Sequence, residues 1–399
     1  MVEFPSQVPY TWDVRKKYLE LPFPMSEYRR RLEQVREAMR SAGIDSILVF
    51  GNASDYGDLV YLSNFIPFGK AAIVVSKDDH EPVIVTDAIL HGEPINSYAW
   101  MTWIRDFVPV KHDPAKFAEA LVRIFVQFGA KKIGLVGSEN LPMPIWEQLR
   151  QKYDAKWQEF WLEFVTIKSE RSDLEISLQR EVGKITAAAM KTAVESISPR
   201  KTEHEIASVA YKTMFEKGAH DRSFPTIINS GPRGGLKHSY LRDRSIEKGD
   251  LIYLDMGAMK FGYQCDMSRS VVVGGTNNDQ KQVLDVVLDA YQTLLAMMKP
   301  GTRTSELVAK AHELEKQSNL HQKFKERMYL GLIVHHAIAT SFFELPSLGL
   351  PDTILKPNMS FAFEPMAHIL DFGTAVIEDT ILITRSGTES LTPYELVHW

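Results

Sequence analysis

The chain has 399 residues, a formal net charge of −5, 44% hydrophobic and 24% charged residues. These values suit a globular protein of two or three domains, at about 150 residues per domain, and they exclude the basic footprint of a nucleic-acid binder. The single cysteine, Cys265, excludes an intramolecular disulfide and suits a reducing compartment.

Residues 1–25 hold five aromatics and four prolines. They read as an irregular arm that packs on another surface, such as a partner subunit. The arm lacks the unbroken apolar stretch of a secretory signal. No run of about 18 apolar residues offers a membrane span anywhere in the chain. The expected location is the cytoplasm, with neither membrane nor nucleic acid as partner.

MSEYRRRLEQVREAMRSA is an amphipathic helix stopped by Gly43. IDSILVF, KAAIVVS and EPVIVT are short apolar runs between turn residues, hence strands. Residues 114–129 read as helix and KKIGLVG as a further strand, which gives a small α/β domain over 1–165. Asp55, Asp58, Asp87, His91 and His112 match no metal-ligand spacing. Tyr98, Trp100 and Trp103 read as core packing, with a lid as the alternative.

Residues 166–195 read as one long helical stretch leading into a second domain, 166–399. Thr202 and Glu205 form a capping box for the next helix. A similar helix after the Pro-Gly turn at 300–301 hints at an internal duplication. SFPTIINSGPRGGLKHSY is a strand entering a glycine-rich loop closed by His238. It is no phosphate loop, because no Lys-Ser/Thr follows the glycines.

The chemistry concentrates further on. DLIYLDMGAMKFGYQCDMSRSVVVGG reads as a hairpin that carries Asp255 and Asp266 in otherwise apolar strands. A turn about Lys260 and Phe261 would set the two acids directly opposite each other. Like charges so placed are destabilising, and a shared cation removes the conflict. A pair of surface acids beside a turn is the alternative on spacing alone. Cys265 should point to the face opposite Asp266 and reads as buried structure.

A second acidic hairpin, MSFAFEPMAHILDFGTAVIEDTILIT, places Glu364 and Glu378 symmetrically about Asp371. His335 and His336 end a β-rich run, and on a strand only one of them can enter a given site. Two acidic cross-strand pairs and one imidazole form the donor set of a dinuclear site for Mn²⁺, Co²⁺ or Zn²⁺.

On DMG, CDMSRS, the histidine of HHAIA, FEP and IEDT, the chain resembles the creatinase/prolidase/methionine aminopeptidase family. The layout is closest to Xaa-Pro dipeptidase-like members. The resemblance implies an α/β (α+β) architecture: a small creatinase-type N-terminal domain followed by a pita-bread metallohydrolase domain. It places the metal ligands on Asp255, Asp266, His336, Glu364 and Glu378, and a substrate-side histidine on His238. It implies a homodimer with two divalent ions, Mn²⁺ first and Co²⁺ or Zn²⁺ as alternatives. The chain departs from the family pattern where GHGIG becomes HHAIA and where Phe343 replaces a second histidine.

The expected activity is metal-dependent hydrolysis of a peptide or amide C–N bond in a dipeptide or other small molecule. Glu364 would serve as proton acceptor, His238 as a hydrogen-bond partner of the substrate, and Glu344 would orient His238 or the substrate's amine. Arg233 and Arg269 are candidates for holding a substrate carboxylate. One alternative is a lyase acting on a small carboxylate such as dimethylsulfoniopropionate, with Tyr240, Tyr263 or Glu344 as base. Another is a non-catalytic binding protein.

Overall fold

A computed structural model describes residues 12–87, 89–90, 93–94, 102–110, 112–236, 238–333, 335–342, 344–347 and 352–399. Residues 1–11 of the N-terminal arm, together with His91, Tyr98, Trp100 and Phe343, lie outside these residues. The chain divides into two compact units, Met1–Lys168 and Ser169–Trp399.

In the first unit, helix α1 (Met25–Ala42) ends at Gly43, whose φ of 63° lets its N–H turn back to Arg40 and Met39. Strands β1 (Ser46–Asn52), β2 (Lys70–Ser76), β3 (Val83–Thr86), β4 (Asp106–Pro109), β5 (Lys132–Val136) and β6 (Lys156–Glu159) form one sheet in the order β4-β3-β2-β1-β5-β6. Helices α2 (Pro114–Gln127) and α3 (Met143–Lys152) supply Phe117, Leu121, Phe125 and Leu149 to its core. Asp55, Asp58, Asp87 and His112 have structural partners. Asp87 accepts from Lys70 Nζ at 2.5 Å and contacts His112 Nδ1 at 3.1 Å. Lys168 donates to Asp58 and Asn140 to Asp55. Trp103 is buried and donates to the Leu62 carbonyl at 2.9 Å, so it belongs to the core.

The second unit opens with a correction. The stretch 166–195 is not one helix. A helix ends at Ser169, and α4 (Asp173–Ser196) starts afresh behind Ser172. Ser172 and Glu175 exchange the two bonds of a capping box, and the extended backbone of Ser172 (ψ 161°) cannot continue a helix. Helix α5 (Glu203–Glu216) carries the box expected at Thr202 and Glu205.

Short strand β7 (Asp221–Arg222) and β8 (Ile227–Ser230) precede the first acidic hairpin: β9 (Leu251–Met256), β10 (Ala258–Lys260), β11 (Tyr263–Gln264) and β12 (Met267–Val272). After helices α6 (Asn278–Met297) and α7 (Thr304–Gln317) come β13 (Met328–Gly331), β14 (His335–Ala337), β15 (Glu344–Ser347), β16 (Ser360–Phe363), β17 (Met366–Ile369) and β18 (Gly373–Ile383). The main sheet runs β8-β9-β12-β18-β16-β14-β15, and β17 pairs with both β13 and β18. Leu284, Val287 and Tyr291 of α6 share a buried cluster with Phe361, Phe363, Ile377 and Ile381 on one face of that sheet. The opposite face carries the polar side chains described below.

The first hairpin turns on Phe261 and Gly262, both with positive φ (51° and 81°), the geometry of two-residue hairpin loops. Lys260 therefore pairs with Tyr263, and Asp255 faces Ser268 rather than Asp266. The directly opposed pair expected from the spacing becomes a diagonal one. Gly257 makes the step between β9 and β10 possible: a Cβ there would lie 1.9 Å from the Cys265 carbonyl oxygen.

Candidate metal centre

Register explains how five strands converge. Asp255 pairs with Ser268, and Ser268 with Glu378, so the three stand in one row across β9, β12 and β18. Glu364 falls in the two-residue break between β16 and β17. The flanking pairs Phe363–Asp379 and Met366–Val376 set it level with Glu378, the register expected from symmetry about Asp371. In the adjoining row, the Asp266 backbone exchanges hydrogen bonds with Thr380 Oγ1, Thr380 pairs with Ala362, and Ala362 with His336. Residues two apart on a strand share a face, so both rows project from the same side.

Donor atoms of Asp266, His336 and Glu378 lie within 4.8 Å of one another, and His336 Nε2 is 3.9 Å from Asp266 Oδ2. Tyr253 Oη donates to Asp255 Oδ2 at 2.5 Å, and Ser268 Oγ to Glu378 Oε2 at 2.6 Å. Asp255 Oδ1, Asp266 Oδ1 and Glu378 Oε1 are buried with no hydrogen-bond partner. Buried polar atoms are seldom left so. Three carboxylate oxygens and an imidazole pointing into one space fit hard or borderline divalent cations.

The electrostatics agree with that fit. Burial pushes the Asp266 carboxyl well above the carboxylate range, and the charges of Glu378, Asp255 and Glu364 push it further. Glu378 moves the same way, by burial and then by Glu364 and Asp255. Asp255 is raised by burial, against the opposing hydrogen bond from Tyr253. Burial lowers His336 to about 4, so its imidazole is neutral and able to ligate at neutral pH.

The reverse face is a separate polar system. Asp379 takes Arg269 Nη2 at 3.0 Å and Tyr291 Oη at 2.5 Å. Arg269 also donates to the carbonyls of Ser268, Glu378 and Glu395. Arg269 is thus a brace behind the sheet. His335 packs edge-on to Phe361 and is pushed down to about 4 by burial. Cys265 is buried and its thiol is pushed up to about 12, so it is no nucleophile.

Asp255, Asp266, His336 and Glu364 open into a cavity of about 580 Å³ that is also lined by Arg222, Phe224, His238, Tyr240 and Phe342. His238 has a φ of 48°, a conformation uncommon outside glycine, and lines the cavity together with Asp255. The Phe342 ring lies 5.1 Å from that of His336 and 4.6 Å from that of Phe224.

Three sequence candidates, Glu344, Arg233 and Tyr263, are not among the described residues that line this cavity. Glu344 forms a buried ion pair with Arg171 through Oε2, and its Oε1 accepts from Thr340 N, Thr340 Oγ1 and Ser341 N. Its carboxylate braces the 340–344 segment. Arg233 binds Glu203 and Ser239. Tyr263 donates to Glu175 at 2.8 Å, which removes it as a proton acceptor at the cavity. The residues missed were Tyr253, hidden in an apolar strand, and Arg222, whose pairing with Ala258 has no local signal.

A two-domain architecture with acids and a histidine gathered on the second unit's sheet defines a creatinase/prolidase-type metallohydrolase, and comparison with known proteins agrees. The Creatinase/Prolidase N-terminal domain matches residues 31–164, and Metallopeptidase family M24 matches residues 177–385. The chain belongs to metallopeptidase family M24 and is a divalent-metal-dependent peptide hydrolase. It is 30% identical over 375 residues to the Xaa-Pro dipeptidase of Pyrococcus horikoshii, covering 93% of this chain and 99% of the relative. The prolidase structure from Pyrococcus horikoshii OT3 superimposes with a TM-score of 0.77 at 27% identity, over 92% of this chain and 99% of that one. An Xaa-Pro dipeptidase structure from Bacillus anthracis gives a TM-score of 0.77 at 26% identity, over 93% and 99%.

Proposed function

We propose that the 166–399 domain hydrolyses Xaa-Pro dipeptides with two divalent ions, Mn²⁺ foremost and Co²⁺ or Zn²⁺ as alternatives, held by Asp255, Asp266, His336, Glu364 and Glu378. The observation that carries this reading is the set of three partnerless, buried carboxylate oxygens beside a neutral imidazole. The likeness to Xaa-Pro dipeptidases supplies the substrate class. Bound there, the ions supply Lewis acidity and lower the pKa of water toward 7.

The chain's own residues do the rest. Glu364 is only half-buried at the break in its strand, so its carboxylate can take a proton from water and return it to the leaving nitrogen. His238 hydrogen-bonds the substrate. Phe224 and Phe342 give a proline ring an apolar seat and keep water from it. The reading extends to a cytoplasmic homodimer. The single cysteine and the lack of any membrane-crossing helix among the described residues accord with that location.

The test is proline release from a panel of Xaa-Pro dipeptides after chelator dialysis and return of Mn²⁺, Co²⁺ or Zn²⁺ separately. Activity should vanish without metal and return most strongly with Mn²⁺. No turnover of any dipeptide with any of the three ions would refute the reading.

The hydrogen bond from Tyr253 to Asp255 fixes one carboxylate oxygen and leaves the other for an ion. Removing such an outer partner typically weakens metal binding about 10–100-fold. Tyr253→Phe should show that loss in competition with a chelating dye. Unchanged affinity would mean that the hydroxyl does not position Asp255.

A further inference from the structure

We propose that Arg222 anchors the free carboxylate of the substrate and thereby restricts hydrolysis to chains that end one residue beyond the scissile bond. The inference rests on the dipeptidase reading above and names the residue that would make it a dipeptidase.

Position comes first. Arg222 pairs with Ala258, three residues beyond Asp255 on the same hairpin, and its side chain lines the cavity that holds Asp255, Asp266 and Glu364. Availability comes second. Arg233 is paired with Glu203 and Arg269 with Asp379. Arg222 has no carboxylate within ion-pair range among the described residues. The neighbouring acid, Asp221, accepts only the Arg222 backbone N–H, at 2.7 Å. Preorganisation comes third. The guanidinium carbon lies 5.8 Å from the centre of the Tyr211 ring, and Tyr211 is itself tied down by the Thr226 N–H at 3.2 Å. Stacking of this kind holds the fork in place without consuming its donors.

The chemistry follows. A dipeptide carries a full negative charge a few bonds from its scissile carbonyl. That charge must enter a cavity rich in acids, where it needs its own cation. A guanidinium meets a carboxylate with two parallel hydrogen bonds. A C-terminal amide or a further residue puts a neutral group at the same place. It then covers the guanidinium without neutralising it, which is penalised. One charge pair therefore sorts substrates by length.

The experiment measures kcat and KM of the metal-loaded full chain on an Xaa-Pro acid, the matching Xaa-Pro amide and an Xaa-Pro-Xaa tripeptide. The proteins are the unsubstituted chain, Arg222→Ala and Arg222→Lys. Calorimetric binding of free proline and prolinamide accompanies the kinetics, and melting curves check folding. The unsubstituted chain should prefer acid over amide by about 10–100-fold, the range of a hydrogen-bonded charge pair. Arg222→Ala should bring that ratio close to one, chiefly through KM, and Arg222→Lys should restore part of it. A folded Arg222→Ala protein that keeps the full acid preference overturns the proposal, as does the absence of any preference in the unsubstituted chain. If no peptide is cleaved yet proline binds in an Arg222-dependent manner, the dipeptidase reading falls and the anchor stands. If proline binding is also indifferent to Arg222, both fall.

Discussion

Glu364→Gln should lower kcat for dipeptide hydrolysis by about 10²–10⁴-fold, the usual worth of a positioned proton-transfer group. The amide keeps an oxygen for coordination but cannot accept the proton. The substitution also removes one charge from the group that raises Asp266 and Glu378. The metal-free variant should therefore melt above the metal-free parent, while the metal-loaded variant is nearly inactive. Opposite signs for stability and turnover identify a functional residue that the fold would be steadier without. Retention of more than about a tenth of the parent's kcat would show that another group takes the proton.

The second large effect concerns pH and metal together. Asp255, Asp266 and Glu378 all have pKa values above their ordinary ones, through burial in each case and, for Asp266 and Glu378, through the repulsion of neighbouring acids as well. The folded state thus holds protons that the unfolded chain has released above about pH 4. Stability then falls as pH rises through the folded-state values. His335 and His336, lowered to about 4, tilt stability the other way, but only below about 6.5. Above about pH 6.5 these two imidazoles are neutral in the folded and unfolded states alike and drop out of the balance. As pH rises through the range in which these raised carboxyls ionise, the metal-free protein should lose melting temperature, and Mn²⁺ should restore more of it once they have ionised than before. At about a thousandfold excess over Kd, binding alone contributes about 4 kcal/mol. Calorimetric melts with and without chelator decide the matter. A melting temperature indifferent to both variables would mean that the acids are not held together as described.

The two acidic hairpins show what the sequence made legible. Glu364 and Glu378 belong to one continuous ribbon with its centre at Asp371, so their spacing alone set them level. Asp255 and Asp266 did not yield to the same argument. Their ribbon closes through a left-handed Phe261, a backbone state that a phenylalanine does not advertise, and that moved the register off the direct pairing. The break at 170–172 was signalled by Ser172 and Glu175 but lost in a long helical pattern. Family resemblance located Glu344 along the chain, yet nothing in a motif says where a carboxylate points. Here it points at Arg171. Arg222 was invisible for a different reason. It acquires meaning only through a partner strand 36 residues away, from Arg222 to Ala258.

That pairing turns the first hairpin into a ruler. One end of the ribbon carries Asp255 and Asp266, and a few residues along its edge Arg222 is paired in register with Ala258. With Arg222 as the proposed anchor, the span between the reacting bond and the far terminus of a substrate is set by strand geometry, not by a movable loop. Lengthening the accepted substrate would require inserting residues into the ribbon itself, and Gly257, hard against the Cys265 carbonyl, leaves no slack there to absorb them.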